Sequence, residues 1–145
     1  MPSPLETQSL RREVSKAWCE HEGTACVGVN WYLVPMSELL EICDAAGAPF
    51  VGAILGILAR DYGSWSSGFP DLCLHRTASA VESSGQRRST FKIVEVKGPG
   101  DQLSLQQEAW LGKLTEAARV AGGRVEVGVL RVNKDESAEQ QLQNG

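Results

Sequence analysis

Between Phe91 and Lys97 the chain reads Phe-Lys-Ile-Val-Glu-Val-Lys, and Gly98-Pro99-Gly100 follows at once. β-Branched and aromatic residues ended by a glycine-proline turn predict a strand. Successive side chains of a strand point to opposite faces, so Glu95 and Lys97 project together while Val94 and Val96 project toward the opposite layer. A carboxylate and an ammonium are thus placed side by side on one face of a sheet, and the other segments must be arranged around that sheet.

Leu10, Val14, Ala17 and Trp18 form one helical stripe within residues 5–21, and Gly23 closes it. Thr24 to Val34 is rich in strand formers and stops at Pro35, which predicts a second strand. Ser37 is placed to cap a helix through Ala46 that Gly47 terminates, and Pro49 opens a third helix through Asp61. That helix carries Phe50, Val51, Ile54, Leu55, Ile57 and Leu58, apolar on most sides, and is expected to be buried. Residues 63–70 are turn-rich, and Asp71 to His75 reads as a short strand. The polar stretch 76–90 is expected to be a flexible loop insertion. A helix over 105–121 presents Trp110, Leu111, Leu114 and Ala118 on one face, with Trp110 as a core anchor. Residues 124–132 alternate as a strand, and 133–145 are expected to be a disordered tail. The order of elements predicts one α/β or α+β domain over residues 5–132, a mixed central sheet flanked by helices.

The chain has 145 residues, enough for one domain with a real core, and 42% hydrophobic and 22% charged residues, as soluble proteins do. No apolar run approaches the roughly 18–20 residues that span a bilayer, so no membrane segment is expected. Residues 1–12 have no apolar core of a secretory signal, and an intracellular home is expected. Cys19, Cys26, Cys43 and Cys73 are far apart and without CxxC pairing, which predicts reduced thiols in or near the core. A net charge of −4 argues against indiscriminate binding to nucleic acid, yet a cluster of acids awaiting a metal ion also makes an enzyme acidic. Neither GxGxxG nor a P-loop occurs, so nucleotide-cofactor chemistry has no support.

Asp71 lies in Gly68-Phe69-Pro70-Asp71-Leu72. If its strand pairs with that of Glu95, the two carboxylates suit Mg²⁺ or Mn²⁺, hard cations that take oxygen ligands and leave positions for water and phosphate oxygens. Lys97 can then hold a scissile phosphate or orient the attacking water. Metal charge matters in such chemistry because a phosphodiester is anionic and repels hydroxide. A weak strand-edge Glu95–Lys97 pair with Asp71 as a turn residue accounts equally well for the spacing alone. Gln107 has two readings also, facing the acid cluster or completing a capping box with Ser104. Lys92, Lys113, Arg119 and Arg124 are candidates for phosphate contacts, against the commoner role of solvated surface charge. His21 and His75 have no partner spacing.

Glu95-Val96-Lys97-Gly98-Pro99-Gly100-Asp101-Gln102-Leu103-Ser104, running into Gln106-Gln107-Glu108-Ala109-Trp110-Leu111, resembles the VRR-NUC nucleases of the PD-(D/E)xK superfamily. Residues 9–132 are similar to the C-terminal nuclease domain of the Fanconi-associated nucleases, with matches at 18–23, 68–72, 92–111 and 125–129. The resemblance implies a restriction-endonuclease-like fold. It implies Asp71, Glu95 and the main-chain carbonyl of Val96 as ligands of a divalent metal, Lys97 as the catalytic lysine, and Lys92 and Lys97 as DNA contacts. It also implies DNA as partner, 5′-flap cutting, 5′-to-3′ degradation and a nuclear role in crosslink repair. No feature points to a protein partner.

The family pattern includes a further acid from an upstream helix, farther N-terminal than Met1. Glu6 and Glu13, which flank the stripe of the first helix, are the substitutes this chain offers. Basic residues expected before the Gly-Phe-Pro-Asp segment are replaced by Gly63, Ser66 and Ser67. A free-standing nuclease, a catalytically incomplete fragment, and a DNA-binding or protein-interaction module that keeps the fold without cutting all remain open on sequence grounds.

Overall fold

The computed structural model describes residues 4–76, 90–122 and 125–133, with side chains from residue 8 onward. Its elements are α1 (Pro4–His21), α2 (Met36–Ala46), α3 (Ala48–Arg60), α4 (Tyr62–Trp65), β1 (Leu72–Arg76), β2 (Thr90–Lys97), α5 (Leu105–Val120) and β3 (Val125–Arg131). The expected insertion at 76–90, apart from its two end residues, and the expected tail at 134–145 lie outside the described residues.

The sheet is mixed, in the order β1-β2-β3. β1 is antiparallel to β2 with Leu72 opposite Val94, and β2 is parallel to β3 with Glu95 opposite Val129. Parallel neighbours require a crossover connection, and α5 supplies it. The fold is therefore α+β with a mixed sheet, as the order of elements predicted.

Alternation along β2 sets the two sides of the sheet. Phe91, Ile93 and Glu95 are buried toward the helices, where Phe50, Trp110 and Leu114 fill the core. The opposite side carries Leu72, Leu74, Lys92 and Leu130, all exposed, with Val94 and Val96 half-buried. Trp110 is fully buried, as its place on the helical stripe predicted.

Four expectations fail for physical reasons. Residues 24–34 form successive turns rather than a strand, with Thr24, Val29 and Leu33 amides donating to carbonyls three residues back. Gly23 and Gly28 have positive φ, 79° and 78°, and among the described residues no neighbouring strand offers hydrogen bonds, so local strand preference has nothing there to pair with. The segment is held instead by Trp31, whose indole packs edge-on against Trp18 at 5.2 Å and donates to the Thr24 carbonyl. Tyr32, 92% exposed, faces water.

α3 is less buried than its composition suggested. Phe50 is enclosed, but most of its apolar partners are half-buried and Leu55 is 56% exposed, because the helix meets the core along one side only. Of the cysteines, all free, Cys43 alone is buried as a residue and Cys19, Cys26 and Cys73 are exposed; burial pushes the thiol pKa up at Cys43 and also at Cys73, whose sulfur is more enclosed than the residue as a whole. Nor does Ser37 cap α2: the helix starts at Met36, Pro35 holds the cap position, and no side chain caps it. Gly47, with φ 84°, ends α2 as predicted, and α2 and α3 meet at 103°. Among the described residues no single helix is long and apolar enough to cross a membrane.

Trp110→Ala removes the largest fully enclosed side chain, and truncations of this kind cost about 3–5 kcal/mol. Urea denaturation of the variant is expected to show a loss of that order.

Candidate catalytic centre

The approach to β1 is clamped onto the start of α5. Gln106 donates from Nε2 to the Ser64 carbonyl at 2.7 Å, and Trp110 donates from Nε1 to the Ser67 carbonyl at 2.9 Å. Trp65 and Phe69 each meet the Trp110 ring edge-on at 5.0 Å. Gly68 fits between them with φ 76°, and a Cβ there would lie 2.7 Å from Gln106 Cγ, so only glycine suits this approach. The chain leaves this clamp through buried Pro70 and delivers Asp71 to the edge of β2, where its Oδ2 accepts the Val96 amide at 2.8 Å.

Glu95 is 1% exposed. A carboxylate so enclosed is costly unless it is paired and hydrogen-bonded. Its Oε1 accepts from Lys97 Nζ at 2.9 Å and from Gln107 Nε2. Lys97 Nζ also donates to Gln107 Oε1 at 3.0 Å, closing a three-membered ring of side chains. Glu95 Oε2, by contrast, is buried and has no hydrogen-bond partner. One oxygen is saturated by the protein and the other is bare.

The two roles weighed for Gln107 are both present. Its Oε1 accepts the Ser104 amide at 3.0 Å while the Ser104 hydroxyl accepts the Gln107 amide at 3.2 Å, a complete capping box. The same amide oxygen that caps α5 receives Lys97, which leaves the amide nitrogen to face Glu95. The start of α5 and the ion pair thus share one side chain.

Asp71, Glu95, Val96, Lys97 and Gln107 are therefore brought together. Lys92 is not: it projects to the opposite side of the sheet and pairs with Glu126 at 2.5 Å. Glu13 is exposed on α1 and pairs with Arg12 at 3.1 Å. Glu6 lies in α1, but its side chain, like Arg124, is outside the described residues. Arg119 is exposed and paired with Glu116. Among the described residues no group of three or more histidines, cysteines or acids is poised to hold a metal ion. The clamp made by Ser64, Gly68 and Gln106 escaped sequence reasoning; a glycine beside Phe-Pro-Asp was its one local trace.

Residues 6–134 match the VRR-NUC domain model. The chain belongs to the VRR-NUC domain family. Within that family it is similar to a Fanconi-associated nuclease 1 homolog of Oryza sativa subsp. japonica, 45% identical over 95 residues that cover 66% of this chain and 9% of the relative. Fanconi-associated nuclease 1 of Danio rerio is 32% identical over 122 residues, covering 83% of this chain and 11% of the relative. That of Homo sapiens is 32% identical over 121 residues, with the same coverage of 83% and 11%. The chain thus spans about a tenth of the length of the curated relatives it matches. This VRR-NUC chain is also similar in structure to paFAN1, solved as a crystal structure bound to 2nt 5′-flap DNA with gap. The TM-score is 0.61, with 26% identity and coverage of 91% of this chain and 22% of that one.

Gly68→Ala is expected to cost about 1–3 kcal/mol, since it adds a side chain to a left-handed backbone as well as a close contact. Ser104→Ala, which removes one half of the capping box, is expected to cost about 1 kcal/mol. Paired denaturation curves check both values.

Proposed function

We propose that the chain is the catalytic core of a divalent-metal-dependent DNA nuclease that hydrolyses phosphodiester bonds. The observation that carries this reading is the bare, buried Oε2 of Glu95, set beside Lys97 and one residue from the amide that holds Asp71. A buried acceptor without a donor is uncommon in a native protein and calls for an ion or water. Carboxylate and carbonyl oxygens are the donor set that hard cations prefer, so the residues present fit Mg²⁺ or Mn²⁺. Asp71, Glu95 and the Val96 carbonyl would hold the ion, with further positions left for water and phosphate oxygens. When bound, the ion supplies positive charge that lowers the pKa of water and offsets charge on the phosphate.

The remaining work belongs to the chain. Lys97, 11% exposed, is fixed by Glu95 and Gln107 and presents its ammonium where it can hold a phosphate oxygen or orient the attacking water. Gln107 accepts from the Lys97 ammonium and donates to Glu95 Oε1, and so holds the two charged partners in place. The likeness to Fanconi-associated nucleases, and to paFAN1 bound to 5′-flap DNA, supports branched DNA with a 5′ flap as the substrate class. Cutting near the flap, degradation in the 5′-to-3′ direction and a nuclear role in crosslink repair are part of the same proposal and rest on the family resemblance of the sequence.

A second reading, a fold-keeping DNA-binding module that does not cut, is favoured by one observation: a third acid is lacking around Asp71 and Glu95 among the described residues. A labelled 5′-flap duplex and its single-stranded control, incubated with Mg²⁺, Mn²⁺ or chelator, separate the two. Cleavage that needs metal and falls at least about 10²-fold in Lys97→Ala and in Asp71→Ala is the expected outcome. DNA binding by the folded chain without any cleavage would instead favour the module. Metal at a hundredfold excess over its Kd is expected to stabilise the wild type by about 2.7 kcal/mol, and Glu95→Ala to lose that gain.

A further inference from the structure

Pro70 lies two residues before β1, next to the aspartate that reaches the Val96 amide. The register pairs Leu74 with Lys92 and Leu72 with Val94, and continued for two residues beyond β1 it would set Pro70 opposite Val96. In an antiparallel pair, facing residues of the hydrogen-bonded kind exchange both amide-to-carbonyl bonds, so the N–H and C=O of a residue point to the same neighbour. The Val96 amide points to the β1 side, where it reaches Asp71 Oδ2. The Lys97 carbonyl points to the other side, where it accepts the Val132 amide at 2.8 Å. On the continued register the Val96 carbonyl faces Pro70, and proline has no N–H to give.

Pro70 is itself buried and Val96 half-buried. A peptide carbonyl without a donor is disfavoured in such a place. Glu95, the residue before Val96, carries a buried carboxylate oxygen without a hydrogen-bond partner. The dipeptide Pro70-Asp71 opens the rung in both directions: proline withholds the donor for the Val96 carbonyl, and the aspartate takes the amide that the Pro70 carbonyl would otherwise accept.

We infer that Pro70 is a positioning residue whose missing N–H keeps the Val96 carbonyl available to a divalent cation. Any other residue would donate to that carbonyl and complete the ladder. The inference rests on the metal-binding reading above, but its first half can be tested with no metal present.

The experiment uses isotope-labelled wild-type chain, Pro70→Ala and Pro70→Gly, with Pro49→Ala as the control for losing a proline elsewhere. Without metal, both position-70 variants are expected to show a through-hydrogen-bond coupling between the new amide and the Val96 carbonyl carbon, and the wild type no coupling from any amide to that carbon. On titration with Mg²⁺, the Val96 carbonyl resonance is expected to move in the wild type and in Pro49→Ala. Both position-70 variants are expected to bind Mg²⁺ about 10–100-fold more weakly. A wild-type carbonyl already coupled to an amide, or unchanged Mg²⁺ affinity in folded Pro70→Ala and Pro70→Gly, overturns the inference. A wild type that takes up no Mg²⁺ overturns the metal-binding reading and with it the consequence for affinity, while the metal-free coupling still decides whether proline holds the rung open.

Discussion

The burial of Glu95 is the constraint around which the rest is organised. It occupies a position on β2 that alternation assigns to the core, in line with Phe91 and Ile93. A hydrophobic residue there would stabilise the domain at no electrostatic cost, whereas an enclosed carboxylate must be matched by donors. Lys97, two residues along the same face, and Gln107, from the crossover helix, provide them. The domain thus accepts a charge in its interior and leaves one oxygen of that charge unmatched, an arrangement that packing alone does not call for.

Stability and chemistry are coupled through α5. Its capping box uses the same Gln107 amide that receives Lys97, and the preceding residue, Gln106, holds the Ser64 carbonyl. Trp110, one turn later, is at once the centre of the core and the donor that fixes Ser67. A single helical turn therefore sets the ion pair on β2 and the entry of Asp71 from β1. Disturbing the helix start moves both halves of the centre together, so effects of substitutions at Ser104, Gln106 and Gln107 on the site should not be additive.

How much was legible in the sequence follows from how local each signal is. The helices α1 and α5, the strand around Glu95 and the glycine that ends α2 all depend on neighbours within a few residues, and they stand where the sequence put them, although on the α1 stripe Ala17 is exposed and Leu10, Val14 and Trp18 are half-buried. Residues 24–34 carry strand-forming side chains, but a strand is completed by a partner, and none lies alongside. α3 was misjudged because composition counts apolar residues around the whole helix, while burial depends on how many sides meet a neighbour. In the centre, period-two geometry was enough to set Glu95 beside Lys97. The link from Asp71 to the Val96 amide spans 25 residues and that from Gln106 to Ser64 spans 42, distances over which a single sequence carries no geometric information.

Ser104 and Gln107 illustrate why two readings of one residue need not compete. A capping glutamine must present its carbonyl oxygen to the helix-start amide, and this fixes which way the amide group is turned. Once turned, it has a second lone pair for Lys97 and two N–H groups on the side of Glu95. The capping role thus determines the polarity with which Gln107 meets the charged pair: donor toward the carboxylate, acceptor toward the ammonium. A glutamate at this position would complete a capping box equally well. It would, however, set a second carboxylate against Glu95 where the amide now donates, adding repulsion at the oxygen that the protein keeps saturated. The preference for an amide at position 107 therefore arises from the strand it faces rather than from the helix it starts.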